Sequence, residues 1–108
     1  MKENLLKIIK HYGVLPQLKY FQSEVFELNE AIISYENGNF TNTRDYDVYQ
    51  NEKNLKAHIT EEIADCYVML NQFQLYYGIE NKQIEETMKF KIDRQLERIK
   101  NEKDNNSN

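Results

Sequence analysis

The sequence predicts an all-α protein, a bundle of three or four helices, and three observations carry that expectation. Only three Gly and one Pro punctuate the 108 residues, too few for the turns of a strand-rich domain. Long runs place their apolar residues at steps of three and four, the helical period. Hydrophobic residues make up 40% of the chain, enough to fill one modest core, so residues 1–100 are expected to form a single domain without a linker.

Taken in order, Met1 to Tyr12 carries Leu5, Leu6, Ile8 and Ile9 among lysines, an amphipathic helix that Gly13 ends. Pro16 suits the first turn of a second, long helix. Along it Leu18, Phe21, Val25, Leu28, Ile32 and Tyr35 repeat at three and four as far as Asn37-Gly38. Residues 37–58 are polar and rich in Asn, Asp and Tyr, which predicts a loop, or a short irregular helix around Tyr46 to Leu55. Arg44, Tyr46, Tyr49, Lys53 and Lys56 could line a ligand there, or simply face solvent.

From Ile59 to Tyr77 the stripe returns at Ile59, Ile63, Cys66, Leu70, Phe73 and Tyr77, and a third, core helix is expected. Tyr77-Gly78-Ile79 interrupts the chain. Ile84, Met88, Ile92, Leu96 and Ile99 then mark a last helix that holds seven of the fourteen Lys and Arg residues. Those cations form either a solvated mixed-charge face or a phosphate-binding one. Residues 101–108 contain no core former and are expected to be a disordered polar tail.

Composition narrows the function. A formal charge of −4 argues against a nucleic-acid polymer as partner, because phosphate-backbone binders carry a basic excess. Cys66 is the single cysteine, with no intramolecular disulfide partner. It reads as a small buried hydrophobe in a reducing compartment rather than a nucleophile. No signal-like N-terminal segment and no apolar run of 18 residues is visible, so a cytoplasmic protein with no membrane contact is expected.

The chemistry lies in carboxylates. Glu24 and Glu27 stand three apart on the second helix, and Glu62 and Asp65 do so on the third, each pair bordering an apolar stripe, with Glu61 at the edge. No Lys or Arg occurs from Phe21 to Thr43 or from Ala57 to Asn81. Neither helix can neutralise its own acids by an i,i+4 pair. Acids held at a helix–helix seam either take up protons or demand a cation. Oxygen ligands favour Mg²⁺ or Mn²⁺, which keep positions open for water and substrate phosphates.

The ExxE of Glu24 and Glu27 followed by the ExxD of Glu62 and Asp65 resembles the signature of the MazG-like, all-α nucleoside triphosphate pyrophosphohydrolases, in their short phage and bacterial form. The similarity runs from about Tyr12 to Ile99, through Tyr12-Gly13 and Gln17 (YG-x-x-x-Q), the EEIADCYVML block and the KIDRQLERI ending. It implies a four-helix-bundle-like MazG-type fold completed by oligomerisation, as a homodimer or homotetramer. It also implies Mg²⁺-dependent cleavage of a nucleoside triphosphate to the monophosphate and pyrophosphate. By position, Glu24, Glu27, Glu62 and Asp65 would hold the metal and direct the attacking water, with Glu61 as an auxiliary acid. Gln17, Lys91 and Arg94 would bind substrate. Two departures stand out: Ser23 replaces an acid common before the first pair, and the long spacing from Glu27 to Glu62 implies a larger loop over the substrate. The related phosphoribosyl-ATP pyrophosphohydrolases share the fold and metal motif, and no residue here selects their substrate. Among the pocket residues that would read the base, Gln17, Phe21, Asn71 and the Tyr46 to Tyr49 segment are candidates.

Two rivals come from other classes. A di-iron carboxylate bundle wants Glu-x-x-His, and neither His11 nor His58 follows a Glu at that spacing. A non-catalytic helical adaptor would use the same apolar stripes and acidic flanks for docking. Phe26, Ile33, Tyr67, Met69 and Tyr76 add apolar surface beyond one stripe, which on physical grounds also predicts self-association.

Overall fold

The structure is a computed structural model that describes the backbone of residues 1–37 and 45–106 and the side chains of residues 1–37 and 52–106. Among the described residues there are four helices and no strand: α1 Lys2–Tyr12, α2 Val14–Glu36, α3 Asp45–Tyr76 and α4 Asn81–Asn106. They divide into two compact units, Met1–Tyr76 and Tyr77–Asn108. No described helix is long and apolar enough to cross a membrane.

In the first unit α1 turns into α2 at Gly13, whose φ of 93° and ψ of 156° form a conformation open essentially to glycine alone. Its N–H closes α1 on the Ile9 carbonyl at 2.8 Å, and its own carbonyl accepts from the Gln17 N–H at 3.1 Å to start α2. Pro16 falls in that first turn, as its spacing predicts. The long helices α2 and α3 run antiparallel. Gln17 near the start of α2 bonds Gln72 near the end of α3, while Tyr35 near the end of α2 bonds Glu52 near the start of α3 at 3.0 Å. Phe21 and Phe73 meet edge to face, 5.8 Å between centroids, a geometry the ring quadrupoles favour. Helix α1 packs chiefly on α3 and plants Ile9, fully buried, in the core.

The buried faces differ from the expected stripes by one position. On α2, Phe21, Leu28 and Tyr35 do turn inward, but Gln17, Glu24 and Ala31 are buried beside them while Leu18, Val25 and Ile32 lie outside at 42–44% exposure. On α3, Ile59, Cys66 and Phe73 turn inward with Glu62 and Met69, and Ile63 and Leu70 stay exposed, as does Tyr77 just beyond the helix. One residue is about 100° of helix rotation, so each helix has turned its acidic flank into the seam. The small side chains of Ala31 and Cys66 lie on the faces that meet, where they allow close approach.

Residues 45–58, expected as a loop or short irregular helix, belong to α3. The Lys56 ammonium pairs with Glu52 at 3.3 Å, one turn apart, and Tyr35 anchors Glu52 from α2. Helix propagates from a packed segment at little cost per residue, so polar composition does not end it. Lys56 is thereby engaged in a structural cluster and Lys53 is exposed. The expectations for Arg44 and for the side chains of Tyr46 and Tyr49 lie outside the described residues.

In the second unit Gln83 accepts the Glu80 backbone N–H at 2.8 Å, half of a capping box that starts α4. Ion pairs one turn apart, Lys82 with Glu86 and Lys89 with Asp93, run along it. No described residue of α4 is buried. It continues to Asn106, through residues 101–106 that were expected as a disordered tail. Lys103 in its last turn suits the negative end of the helix dipole.

Candidate functional site

The rotation of both helices brings Glu24 of α2 together with Glu62 and Asp65 of α3. One carboxylate oxygen from each lies within 4.8 Å of the others. Glu24 is 5% exposed and Glu62 6%, while Asp65 opens to solvent. Among the described residues, the Oε2 atoms of Glu24 and Glu62 are buried without a hydrogen-bond partner. A buried carboxylate oxygen left so is costly, because nothing replaces the water it has lost.

The charges respond accordingly. Burial pushes the Glu24 carboxyl above its ordinary range, the charges of Glu27 and Asp65 add to this, and a hydrogen bond from the Tyr20 hydroxyl opposes it. Burial likewise raises Glu62, helped by the charges of Glu27, Asp65 and Glu24 and opposed by His58, whose Nδ1 is 3.9 Å away. With carboxylate oxygens of Glu24 and Asp65 within 4.8 Å of each other, their like charges favour a shared proton or a cation between them. Three oxygen donors from two helices, with solvent on the Asp65 side, fit a hard divalent ion that keeps water positions.

Cys66 sits one turn beyond Glu62 and is buried. Burial raises its thiol, and the charges of Glu24, Glu62 and Asp65 raise it further, so it stays protonated and behaves as a packing residue.

A cleft of about 600 Å³ adjoins the cluster, with Glu24 and Asp65 in its wall. Ile8 and Tyr12 of α1, Pro16 and Tyr20 of α2, and Val68 and Met69 of α3 supply most of the rest. Gln17 and Gln72 complete the lining, joined by a 2.8 Å bond from Gln17 Nε2 to Gln72 Oε1. Gln72 is 1% exposed and directs its own Nε2 at the Met69 sulfur, 3.7 Å off. The volume lies within the range of small-molecule sites.

Of the residues singled out from sequence, Glu24, Glu62 and Asp65 converge and Gln17 lines the adjoining cleft. Glu27 is exposed and stands outside the triad, near enough for its charge to act on Glu62. Glu61 is exposed and outside it too. Lys91 and Arg94 lie exposed on α4, in the second unit, where the Arg94 guanidinium covers the Phe90 ring at 5.6 Å. Phe21 packs on Phe73 and Asn71 is exposed.

Gln72 and Tyr20 are site residues that the sequence does not single out, and Met69, expected to add exposed apolar surface, is instead buried in the core beside the cleft. Gln72 gives no clear signal, because Asn71 and Gln74 stand beside it in the same run. Tyr20 is found only through its contact with Glu24, one turn away. No family model, curated protein or solved structure matches the chain.

Proposed function

We propose that the protein is a divalent-cation-dependent nucleoside triphosphate pyrophosphohydrolase of the MazG-like, all-α type. The carrying observation is the pair of unpartnered, buried Oε2 atoms of Glu24 and Glu62, held on separate helices within one triad with Asp65. Glu24, Glu62 and Asp65 would hold Mg²⁺, or Mn²⁺ in its place. Bound there, the ion screens phosphate charge and lowers the pKa of water. Glu27, exposed beside the triad, is our candidate to accept the proton of the attacking water. Water oxygen bonds to the α-phosphorus, the bridge to the β-phosphate breaks, and pyrophosphate departs with that electron pair. Lys91 and Arg94 are assigned to phosphate contact, in the site of a partner subunit.

Self-association belongs to the same reading. Leu18, Val25, Phe26 and Ile32 on α2 and Ile63, Tyr67 and Leu70 on α3 are all exposed, more apolar surface than a monomer of this size usually leaves open. A homodimer or homotetramer in the cytoplasm, where triphosphates are abundant, is the expected form. That same surface favours the second reading, a non-catalytic adaptor.

Pyrophosphate release from mixed dNTPs separates the two. Release that requires Mg²⁺ and is lost in Glu62→Gln, with circular dichroism unchanged, supports the enzyme. If no triphosphate is cleaved and no divalent ion raises the melting temperature, the adaptor stands instead.

A further inference from the structure

We propose that the cleft beside the carboxylates seats the base of the nucleotide, and that Gln17 meets its hydrogen-bonding edge while Gln72 holds Gln17 in either of two polarities. This rests on the nucleotide reading above and adds the substrate feature that the cleft selects. Gln17 lies two helical turns, about 10 Å, from Glu24 along α2. That is comparable to the reach from an α-phosphate across a sugar to its base.

Away from Glu24 and Asp65, no described lining residue of the cleft is charged, so this end suits a neutral ring and not a phosphate. Val68, Met69 and Ile8 offer apolar walls, and Tyr12 and Tyr20 add aromatic side chains to the lining. A flat heterocycle matches these better than a hydroxyl-rich sugar. A primary amide carries two N–H groups and a carbonyl. With one N–H given to Gln72, Gln17 keeps a donor and an acceptor side by side, the pairing with which glutamine amides grip base edges.

The two amides also explain which bases would be accepted. Turning both side chains over preserves their mutual bond with donor and acceptor exchanged. The cost is the 3.7 Å approach of Gln72 Nε2 to the Met69 sulfur, a weak acceptor. The pair can therefore offer either polarity with little penalty. Triphosphates whose bases carry an acceptor beside an amino group, and those whose bases carry a carbonyl beside a ring N–H, should both be hydrolysed, with kcat/KM values within about tenfold of one another.

The test compares each dNTP with deoxyribose 5-triphosphate, which lacks a base. In the wild type the base raises kcat/KM at least tenfold. In Gln17→Met that ratio falls toward one, and it does the same in Val68→Phe, which fills the cleft from a part-exposed position and leaves the buried amides alone. A ratio unchanged in both variants overturns the proposal, as does a wild type indifferent to the base. Calorimetric titration with dNMPs in the absence of divalent ion reads the cleft without the reaction. Binding of dNMPs that Val68→Phe abolishes, with no triphosphate hydrolysed, would fail the pyrophosphohydrolase reading and keep the cleft. Hydrolysis with an unchanged base ratio would fail the cleft alone.

Discussion

Two buried polar pairs bridge the same two helices, and they are built oppositely. Gln17 and Gln72 satisfy each other through a 2.8 Å bond, so that end of the seam is stable as it stands. Glu24 and Glu62, farther along, are as deeply buried, yet each keeps an unpartnered oxygen and faces further acids. A neutral amide pair can be placed in a core at small net cost. Two carboxylates cannot, since every neighbouring acid has the same sign and burial removes the water that would screen it. The amide end is thus finished by folding, whereas the acid end requires a proton or an ion from outside.

The most severe way to break this comparison is to neutralise one acid. Glu62→Gln or Glu24→Gln should abolish Mg²⁺-dependent pyrophosphate release by about a thousandfold or more, the scale of several kcal/mol of charge stabilisation supplied by a bound ion. The same variants should melt at a higher temperature than the wild type without divalent ion, because a buried charge is gone. Activity that survives either change would show that the acids do not act together.

Next in size is the ion itself. At a hundredfold excess over its Kd, Mg²⁺ should stabilise the wild type by about 2.7 kcal/mol, read as a rise in melting temperature. Glu62→Gln should show most of that rise removed, and Gln72→Leu should keep it. An equal response in the two variants would erase the distinction between the pairs.

The amide end should answer to stability alone in the ion-free protein. Gln17→Leu or Gln72→Leu leaves one buried amide without its partner and should cost about 1–3 kcal/mol in urea denaturation. The double variant should cost clearly less than the two single losses added, since neither orphan remains. Simple additivity would mean that the bond contributes little.

The smallest effect is on pH. Glu24 and Glu62 are raised in the folded state by burial and by neighbouring acids. Between the ordinary glutamate value near about 4.3 and the higher folded values, the folded chain therefore binds more protons than the unfolded one. Stability contributed by these groups is present at low pH and lost as pH rises through that window. Glu52, lowered by its hydrogen bonds from Tyr35 and Lys56, works in the opposite sense. The informative quantity is thus the difference in melting temperature between wild type and Glu62→Gln without divalent ion. It should grow as pH rises from acid to neutral, and a constant difference would contradict the raised carboxyl.

The helix ends could be read locally. Gly13 stops α1 because its backbone conformation excludes other residues, and Pro16 fits the first turn that comes after it. The faces could not be read so directly. On each long helix the residues Phe21, Leu28 and Tyr35, or Ile59, Cys66 and Phe73, have apolar neighbours on one side and polar ones on the other. Hydropathy favours Leu18, Val25 and Ile32, but the pairing of α2 with α3 buries Gln17, Glu24 and Ala31. The reach of α3 back to Asp45 was likewise hidden: the described contacts of its first half join Glu52 to Tyr35 and Lys56, and such polar pairs leave no apolar stripe in the sequence.

Periodicity, the scarcity of Gly and Pro, and the cation-free stretches around two acid pairs were enough to establish helices and to single out three acids that the fold brings together. Those are properties of neighbours in the chain, three or four positions apart, and need no knowledge of what packs where. Which flank of α2 meets which flank of α3, and hence that Glu24, Glu62 and Asp65 meet at one point, buried on the side of the two glutamates, while Glu27 stands outside it, depends on contacts between residues far apart in the chain. Only the close packing of the three helices fixes each rotation, and here it prevails over the stripe that is richer in apolar side chains.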